Sequence, residues 1–523
     1  MANALEPARQ VARATAVVLA MTLVSRVLGF LRDAAIAWAF GASRASDAYM
    51  VAYTLPYFLQ SVLGVALVTV MVPVVSRHLV AGTREEAWSV TSSILNLTGI
   101  FLLVLTVIGY WGAAPLIGAL APGFSQEQAA LAVQLTRIMF PSLAFVGLGM
   151  LISGVLNAGF HFSIPAFAPG LANLVMILAV VFFHRQFFIH ALAWGTLAGF
   201  AAFFLVQLPS LRALGFRYRW HWHFRHPDVR RVLRHVPTVL LAISVTQIYL
   251  AINRLLASGL PHGSITALDL ANRVVNLPLG VFATSLSTAL FPAMSRQAAR
   301  HELEGLAAAT AKSLAVLLVV VLPVSTAMVL LREPLIRLLF QRGVFDAAAT
   351  ALTAEALFYF AFGMVGVAAN LVLTRTSYAL GEVGMPVLAA GISIAADAGL
   401  SVLLVGWLAH GGLALANSLA TTLNAALLFF LLRRHLPGLH PLPLARTGVL
   451  ALVACVPTGV ALSLGLILWP PAALGPKSLV LEVLALTTLG AGIFLGTART
   501  LRLTEVDLLL ASGRKVIFGR RER

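Results

Sequence analysis

Fourteen apolar runs, each long enough to cross a lipid bilayer, follow one another along the 523 residues of this chain. A helix that spans a bilayer needs about 20 predominantly apolar residues. The runs lie at 14–40, 47–75, 88–111, 129–156, 164–183, 187–209, 232–256, 266–291, 307–330, 351–374, 385–409, 411–432, 446–469 and 478–498. They are too long for outer-membrane strands, so the sequence predicts an all-α polytopic membrane protein with about 14 transmembrane helices.

The charged residues fix the orientation of this bundle. Only 11% of the residues are charged, whereas soluble domains have about 25%. The net charge of +17 belongs mostly to the connections and the C-terminal tail, where it fits topology and anionic headgroups better than nucleic acid. Most lysines and arginines fall in one alternating set of connections, which predicts cytoplasmic N- and C-termini. A lone cysteine excludes an internal disulfide, and no cleaved signal peptide is expected.

An internal repeat with an offset of about 220 residues relates the two halves of the chain. The matching positions are Asp47 with Asp269, Leu55-Pro56 with Leu277-Pro278, Pro73 with Pro292, Arg77 with Arg296, Pro115 with Pro334, Pro165 with Pro386 and Arg32 with Arg254. Six spans per half predict parallel repeats related by an axis along the membrane normal. We therefore expect an N-lobe at 1–209, a basic cytoplasmic connection at 210–231, a C-lobe at 232–436, and two further spans with a basic tail at 437–523.

Four arginines lie on the first two spans of each half: Arg26, Arg32, Arg254 and Arg273. A charge at mid-membrane costs about 3 to 10 kcal/mol, so such residues normally face a protein interior or a wet cavity. A guanidinium suits bidentate contact with oxyanions. Together the four arginines predict a cationic cavity for a substrate that carries phosphate or carboxylate. The alternative for any one of them is that it reaches the membrane interface from a span end.

Carboxylates accompany these arginines. Asp33, Asp47 and Asp269 are candidates to pair with them, and Asp47 and Asp269 equally fit helix N-caps. Asp397 lies deep in the eleventh span with Ser393 one turn before it. A lone intramembrane aspartate predicts a site for a coupling cation or a proton, and a buried, hydrogen-bonded aspartate is the alternative.

The basic connection contains an aromatic and histidine-rich stretch, W-H-W-H-F-R-H at 220–226. Its alternating aromatics fit an interfacial belt better than a metal site. The sequence has no phosphate-cradling Gly-rich loop, no plausible metal set, and no nucleophile with a base at a recognisable spacing. It therefore predicts a transporter rather than an enzyme, without a cofactor.

Five blocks of the sequence resemble the MurJ/MviN family of lipid II flippases, within the MOP exporter superfamily. They are S-R-V-L-G-F-L-R-D at 25–33, F-G-A-x-x-x-S-D-A-Y at 40–49, F-S-I-P-A-F-A-P at 162–169, L-P-L-G-V at 277–281 and F-Q-R-G-V-F at 340–345. The resemblance extends from residue 14 to about residue 436. The last two spans agree with the fourteen-helix layout of the family.

The resemblance implies movement of undecaprenyl-pyrophosphate-linked peptidoglycan precursor, lipid II, from the inner to the outer leaflet for cell-wall synthesis. Two lobes would rock about a central cavity in the bacterial inner (plasma) membrane. Arginines essential in the family match Arg26, Arg32 and Arg273, and the second-span aspartate matches Asp47. The expected partners are lipid II, membrane lipids and the cell-wall synthesis machinery, without nucleic acid. The protein is expected to be a monomer that uses a coupling cation or the membrane potential.

Three positions depart from the family pattern. Gln60 stands where the family usually has an arginine, Val65 where it has a glutamate, and Asn272 where it has an acidic residue. Three alternatives to a lipid II flippase therefore stay open. They are a flippase for another polyprenyl-linked oligosaccharide, a MATE-like small-molecule antiporter with a carboxylate-rich site, and a non-transporting membrane scaffold.

Overall fold

A computed structural model describes residues 2–507 except 221, 224, 233, 235–249 and 470–474, without the side chains of 2–16 and of a few helical positions. This part of the chain is helical and contains no β-strand. The predicted all-α fold is confirmed. The chain divides into two compact units, one formed by Met1–Thr266 and Arg342–Phe345 and the other by Ala267–Gln341 and Asp346–Arg523. The predicted span at 232–256 lies mostly outside the described residues.

Nine of the described helices belong to the first unit, unit 1. They are α1 (Ala2–Phe40), α2 (Arg44–Val80), α3 (Arg84–Trp111), α4 (Ala113–Leu120), α5 (Gln126–Met139), α6 (Ser142–Ala158), α7 (Ser163–Phe187), α8 (His190–Leu205) and α9 (Leu208–Ala213). Helix α7 packs against α1 and α8, and α2 packs against α5 and α6. A hydrophobic core lies between α2, α3 and α6 and includes the buried side chains of Met71, Leu151 and Leu156.

Unit 2 holds the remaining helices. They are α10 (Ser264–Ala299), α11 (Leu303–Leu330), α12 (Arg332–Phe340), α13 (Ala347–Phe362), α14 (Met364–Ala379), α15 (Gly384–Arg433), α16 (Pro441–Leu468) and α17 (Pro476–Thr500). The first three residues of α10 belong to unit 1. Helix α16 packs against α11 and α17, around the buried side chains of Val319, Cys455 and Phe494.

Small residues bring helices close together, as is usual where lipid removes the hydrophobic drive between spans. A Cβ at Gly147 would lie 2.4 Å from the Leu102 side chain, and one at Gly195 would lie 2.5 Å from Ala179.

Polar side chains cap the first turns of several helices. Ser43 caps α2, Ser125 caps α5 and Asp346 caps α13, each accepting a hydrogen bond from a backbone N–H in the first turn.

Seven helices of the described chain are long and apolar enough to cross a membrane. The bent pairs α5–α6 (41°) and α13–α14 (46°) raise that number to nine. The predicted spans 385–409 and 411–432 both lie in α15, and the helix is broken between them at Ala409, where φ is 46° and ψ is −127°. The total of fourteen spans stays a prediction.

The order of the helices repeats between the units. Helices α2 and α10 each hold two internal prolines, and the helices that follow, α3 and α11, both have 28 residues. A short helix and a bent pair come next in both units. The units divide at Thr266, further along the chain than the connection at 210–231. The lobe boundaries drawn from the sequence stay predictions.

Candidate functional site

Arg32 and Asp33, neighbours on α1, form an ion pair that Asn173 of α7 completes. The Arg32 Nε and Nη2 atoms donate to Asp33 Oδ1 at 3.0 and 2.7 Å, and Nη1 donates to Asn173 Oδ1 at 3.0 Å. The Asp33 side chain is buried, whereas that of Arg32 keeps 14% of its surface exposed. Because a carboxylate and an amide hold it on two sides, this guanidinium has a defined orientation on α1.

Glycines allow α1 and α7 to approach at this point. A Cβ at Gly29 would lie 3.3 Å from the Asn173 amide, and one at Gly170 would lie 3.1 Å from the Cα of Ser25. Both distances are shorter than ordinary van der Waals contact. The small residues therefore place Asn173 within hydrogen-bonding reach of Arg32.

Asp47 is buried and receives three hydrogen bonds from the start of α10. Its Oδ1 accepts from the backbone N–H of Thr266 at 2.8 Å and from the Thr266 hydroxyl at 2.7 Å. Its Oδ2 accepts from the backbone N–H of Gly263 at 2.6 Å. We call Asp47, Gly263 and Thr266 the Asp47 latch. Because these N–H groups have no partner within their own helix, the carboxylate of α2 acts as the cap of α10.

The predicted N-cap role of Asp47 in its own helix is therefore wrong. Ser43 occupies that position and forms a capping box with Ser46, which places Asp47 one residue further into the first turn of α2. Asp269 lies in the second turn of α10 and does not cap it either. Ser43 therefore caps α2, and the Asp47 carboxylate is left to accept hydrogen bonds from the start of α10.

Arg254 lies beside the Asp47 latch. It is 8% exposed, its Nη1 donates to the carbonyl of Ile265 at 3.5 Å, and its charge attracts the Asp47 carboxylate. The predicted association of Asp47 with an intramembrane arginine is thus present as a through-space attraction.

Two further blocks of the sequence meet at this end of unit 1. The backbone N–H of Val344 donates to the carbonyl of Trp38 at 3.0 Å. Gly343 adopts φ +61°, and a Cβ there would lie 2.4 Å from the same carbonyl. Gly263 adopts φ +88°, and its Cβ would lie 2.5 Å from the carbonyl of Ala42. Only glycine fits these two positions, because any other residue would place its Cβ against a backbone carbonyl at the end of α1 or in the turn after it.

In unit 2, Arg273 pairs with Asp269 one turn earlier on α10. Its Nε donates to Asp269 Oδ2 at 2.8 Å, and the two side chains are 33% and 19% exposed. Asn272 is exposed and accepts a hydrogen bond from Asn276 on the same helix. The pairing of Asp269 with an arginine is thus present, within a single helix.

Asp397 and Ser393 are both buried on α15. The Ser393 hydroxyl donates to the carbonyl of Ala389 at 2.8 Å, one turn earlier. Ser401 lies one turn after Asp397 and is also buried, so hydroxyls flank the carboxylate on one face of the helix. Within the described residues, no group of three or more His, Cys, Asp or Glu side chains forms a metal site.

Arg26 is exposed on α1 and makes no hydrogen bond to another described side chain or backbone group. The side chains of Gln60 and Val65 lie outside the described part. The convergence of Arg26, Arg32, Arg254 and Arg273 on one cavity stays a prediction.

Sequence reasoning missed several polar partners. Asn173 and Thr266 have no signal in the sequence, because their roles depend on which helices meet. Glu482 of α17 is 5% exposed, neither of its carboxylate oxygens has a hydrogen-bond partner among the described residues, and Arg337 attracts it electrostatically. It is the only acidic residue in its helix. The rule that singled out Asp397 would therefore have found it.

The family description and the sequence relatives that match this chain indicate the same family. The family description "Lipid II flippase MurJ" matches residues 36–484. The lipid II flippase MurJ of Burkholderia cenocepacia is 34% identical over 433 residues, which is 81% of this chain and 84% of that protein. A probable lipid II flippase MurJ of Buchnera aphidicola (subsp. Acyrthosiphon pisum) is 32% identical over 80% of this chain and 82% of its own length.

Solved structures share the fold. A lipid II flippase MurJ in an inward closed conformation aligns with a TM-score of 0.76 at 24% identity and covers 92% of this chain and 99% of that one. An inward-facing MATE multidrug transporter of the MOP superfamily aligns with a TM-score of 0.68 at 17% identity, over 81% of this chain and 98% of its own. At these identities the likeness concerns the fold. The family description and the sequence relatives together establish that this chain, a multi-pass membrane protein, belongs to the MurJ family of lipid II flippases.

Proposed function

We propose that this protein moves lipid II from the inner to the outer leaflet of the bacterial inner membrane. The observation that carries the proposal is that Arg32, on a helix that the sequence predicts to span the membrane, is held by Asp33 and Asn173 and is still partly exposed. A guanidinium inside the membrane carries a large free-energy cost unless it binds a polar ligand or pairs with an acidic side chain. Lipid II has a pyrophosphate between its polyprenyl tail and its sugars, and guanidinium groups bind such oxyanions strongly.

Each arginine has a distinct part in this proposal. Arg26 is exposed and makes the first contact with the pyrophosphate. Arg32 and Arg273 are oriented by Asp33 and Asp269, so little side-chain entropy is lost when they bind. Arg254 is buried beside Asp47 and supports the latch rather than the substrate.

The Asp47 latch supports alternating access. It lies within unit 1, next to the point at which the chain continues into unit 2, and it consists of three hydrogen bonds to one carboxylate. Such a contact is either formed or broken, with few intermediate arrangements. We infer that the latch is formed in one state of the transport cycle and released in the other.

Asp397 is the proposed site of energy coupling. It is buried between two serines, which suits a cation or a proton as its ligand. Asp397→Asn should lower activity in a way that depends on external cation or pH. A variant that is less stable and shows the same loss at every cation concentration and pH would favour a structural role for Asp397.

The decisive experiment is depletion of the native flippase and complementation by this chain, with labelling of the precursor by an external reagent as the readout. A lipid II flippase restores outer-leaflet precursor, and Gln60→Arg, which returns the usual family charge, retains that activity. Restored growth without any precursor that the external reagent can label would favour the scaffold. Binding of purified protein to another polyprenyl-linked glycan, but not to lipid II, would indicate a flippase for that glycan.

The proposal also covers the membrane topology, the oligomeric state and the partners of the protein. We propose cytoplasmic termini, a monomeric transporter without enzymatic activity or cofactor, and contact with the cell-wall synthesis machinery. In a Cys455→Ala background, Arg225→Cys should react with an impermeant thiol reagent only from the cytoplasm. Gly118→Cys, at a site where a side chain meets nothing within 4 Å, should react only from outside. Labelling of both from one side would overturn this topology.

A further inference from the structure

A second polar and aromatic site lies in unit 1, in a cleft of about 510 Å³ between α3, α6, α9 and the basic connection. That volume is within the range of small-molecule sites, about 300–1,000 Å³. Most of its lining is apolar, with aliphatic residues such as Leu95, Leu148 and Ile152 beside several aromatic rings. Arg212 is the one charged residue that lines the described cleft.

Hydrogen bonds to α3 fix the wall formed by the connection. The Tyr218 hydroxyl donates to Asn96 Oδ1 at 2.6 Å, and the backbone N–H of Arg219 donates to Ser92 Oγ at 3.1 Å. Phe216 packs edge-on against the buried ring of Trp88, with the ring centroids 5.6 Å apart. The cleft is therefore a built feature of unit 1.

Three aromatic rings on alternate residues of the connection line the cleft on this side. Tyr218, Trp220 and Trp222 all line the cleft, and neighbouring rings meet edge-on at 6.5 and 5.6 Å. Their exposed fractions are 51%, 71% and 36%. Amphipathic rings of this kind are typical of the level of lipid headgroups, where one part of the ring is wet and the other apolar.

The charge around the cleft favours an anion. Residues 210–234 contain seven arginines and one acidic residue, Asp228. Arg219 is paired with Glu85, whereas Arg212 is exposed and has no ion pair or hydrogen bond among the described residues. An exposed arginine beside an apolar cleft offers a phosphate contact next to a place for a hydrocarbon chain.

We propose that this cleft binds an anionic glycerophospholipid of the surrounding bilayer. One acyl chain occupies the aliphatic cleft, the rings of Trp220 and Trp222 cover it, and Arg212 binds the headgroup phosphate. The cleft lining includes none of the arginines of α1 and α10, and the proposal does not depend on the proposed function. Bound lipid would fix the connection to α3 and so anchor this end of unit 1 in one leaflet.

The test uses the full chain in nanodiscs and the fluorescence of its tryptophans. Phosphatidylglycerol with brominated acyl chains should quench more strongly than brominated phosphatidylcholine at equal mole fraction. The excess should disappear in Trp220→Phe/Trp222→Phe, which removes two of the eight tryptophans. Equal quenching by the two lipids, or an excess that survives in the double variant, would overturn the proposal.

Matched arginine variants separate a site from a diffuse basic surface. Arg212→Gln should weaken phosphatidylglycerol binding about fivefold, which is the usual contribution of one basic residue to affinity for an anionic headgroup. Arg217→Gln removes another exposed arginine of the connection that does not line the cleft, and it should leave binding unchanged. Equal losses in both variants would contradict a defined site. Displacement of the quencher by undecaprenyl pyrophosphate at lower concentration than by phosphatidylglycerol would instead assign the cleft to the lipid-linked substrate.

Discussion

Helices α2 and α10 occupy the same place in the repeat, yet their matching carboxylates have different partners. Asp47 of α2 is 3% exposed and caps a helix distant in sequence through three hydrogen bonds. Asp269 of α10 is partly exposed and pairs with Arg273 on its own helix. A shared sequence position thus gives one residue a structural latch and the other a local ion pair. The repeat determines where a charge lies along a span, and the neighbouring helices determine what it contacts.

The arginines at matching positions of the repeat, Arg32 and Arg254, also differ, but here the residue of the first half is the more exposed one. Arg32 is partly exposed and paired with its sequence neighbour Asp33, whereas Arg254 is buried and attracted to Asp47. Exposure suits contact with a substrate, and burial suits a structural role. Under the proposed function, the two repeats would divide binding and structural functions between equivalent positions.

The largest expected effect comes from the Asp47 latch. Asp47→Ala should lower the free energy of unfolding by about 4 kcal/mol, because two backbone N–H groups and one hydroxyl lose a charged acceptor. Asp269→Ala should cost about 0.5 kcal/mol, the usual value of a partly exposed pair within one helix. Thermal unfolding of the purified variants measures both. Equal losses would contradict the difference between the two carboxylates, and Asp47→Asn, which keeps one acceptor oxygen, should lie between Asp47→Ala and wild type.

The backbone beside the latch gives the next effect. Gly263→Ala should cost about 3 kcal/mol, since left-handed backbone disfavours a Cβ and this Cβ would also lie 2.5 Å from the carbonyl of Ala42. Gly381 also has a left-handed backbone, at φ +78°, but a Cβ there would meet nothing within 4 Å. Gly381→Ala should therefore cost only about 1 kcal/mol. The difference between the two melting temperatures measures the cost of the close contact apart from the cost of the left-handed backbone. Equal melting temperatures would show that the backbone around residue 263 shifts to make room for the Cβ.

The third test separates binding from structure at the matching arginines. Arg32→Ala should weaken lipid II binding by about 2 kcal/mol, roughly 30-fold, because a charge-assisted phosphate contact is lost. Arg32→Lys keeps the charge without the fork and should restore binding only in part. Arg254→Gln should instead lower the melting temperature. Titration of purified variants with lipid II decides the point, and unchanged affinity in Arg32→Ala would exclude it from the substrate site.

The smallest effect concerns Arg77 and its repeat counterpart Arg296. Arg77 and His78 both hydrogen-bond the Asp228 carboxylate, whereas Arg296 is exposed and makes no ion pair among the described residues. Burial raises the pKa of Asp228, but the hydrogen bonds from His78 and Arg77, with their charges, outweigh it and hold that pKa below its usual value. A lowered folded-state pKa stabilises the protein above the unfolded-state pKa, and this contribution is lost as the pH falls through the folded-state pKa.

The measurement is therefore unfolding between neutral pH and about pH 3, below the ordinary aspartate pKa. Arg77→Ala should cost about 1 kcal/mol at pH 7 and progressively less toward pH 3. Arg296→Ala should cost little at either pH. A loss in Arg77→Ala that is the same at both ends of the range would show that Asp228 does not carry the effect.

The helical membrane fold, the repeat and the family could all be predicted from the sequence. Apolar runs of span length leave few alternatives in lipid, because every backbone polar group must be satisfied within the chain. The same cost of burying charge marked Arg32, Asp47, Arg273 and Asp397 before any contact was known. Glu482 was open to the same reasoning.

The partners of these charges follow from the tertiary structure alone. Asp33, adjacent in sequence, was a natural partner for Arg32, but Asn173 comes from α7 and meets Arg32 because glycines let the two helices approach. Asp47 looked like the cap of its own helix and instead caps α10, because Ser43 already serves α2 and Gly263 fits against the turn beside it. Hydrogen bonds depend on distances of a few ångströms between residues that are far apart in the chain. Such distances are determined by helix packing, which hydrophobic patterns and charge counts leave undefined.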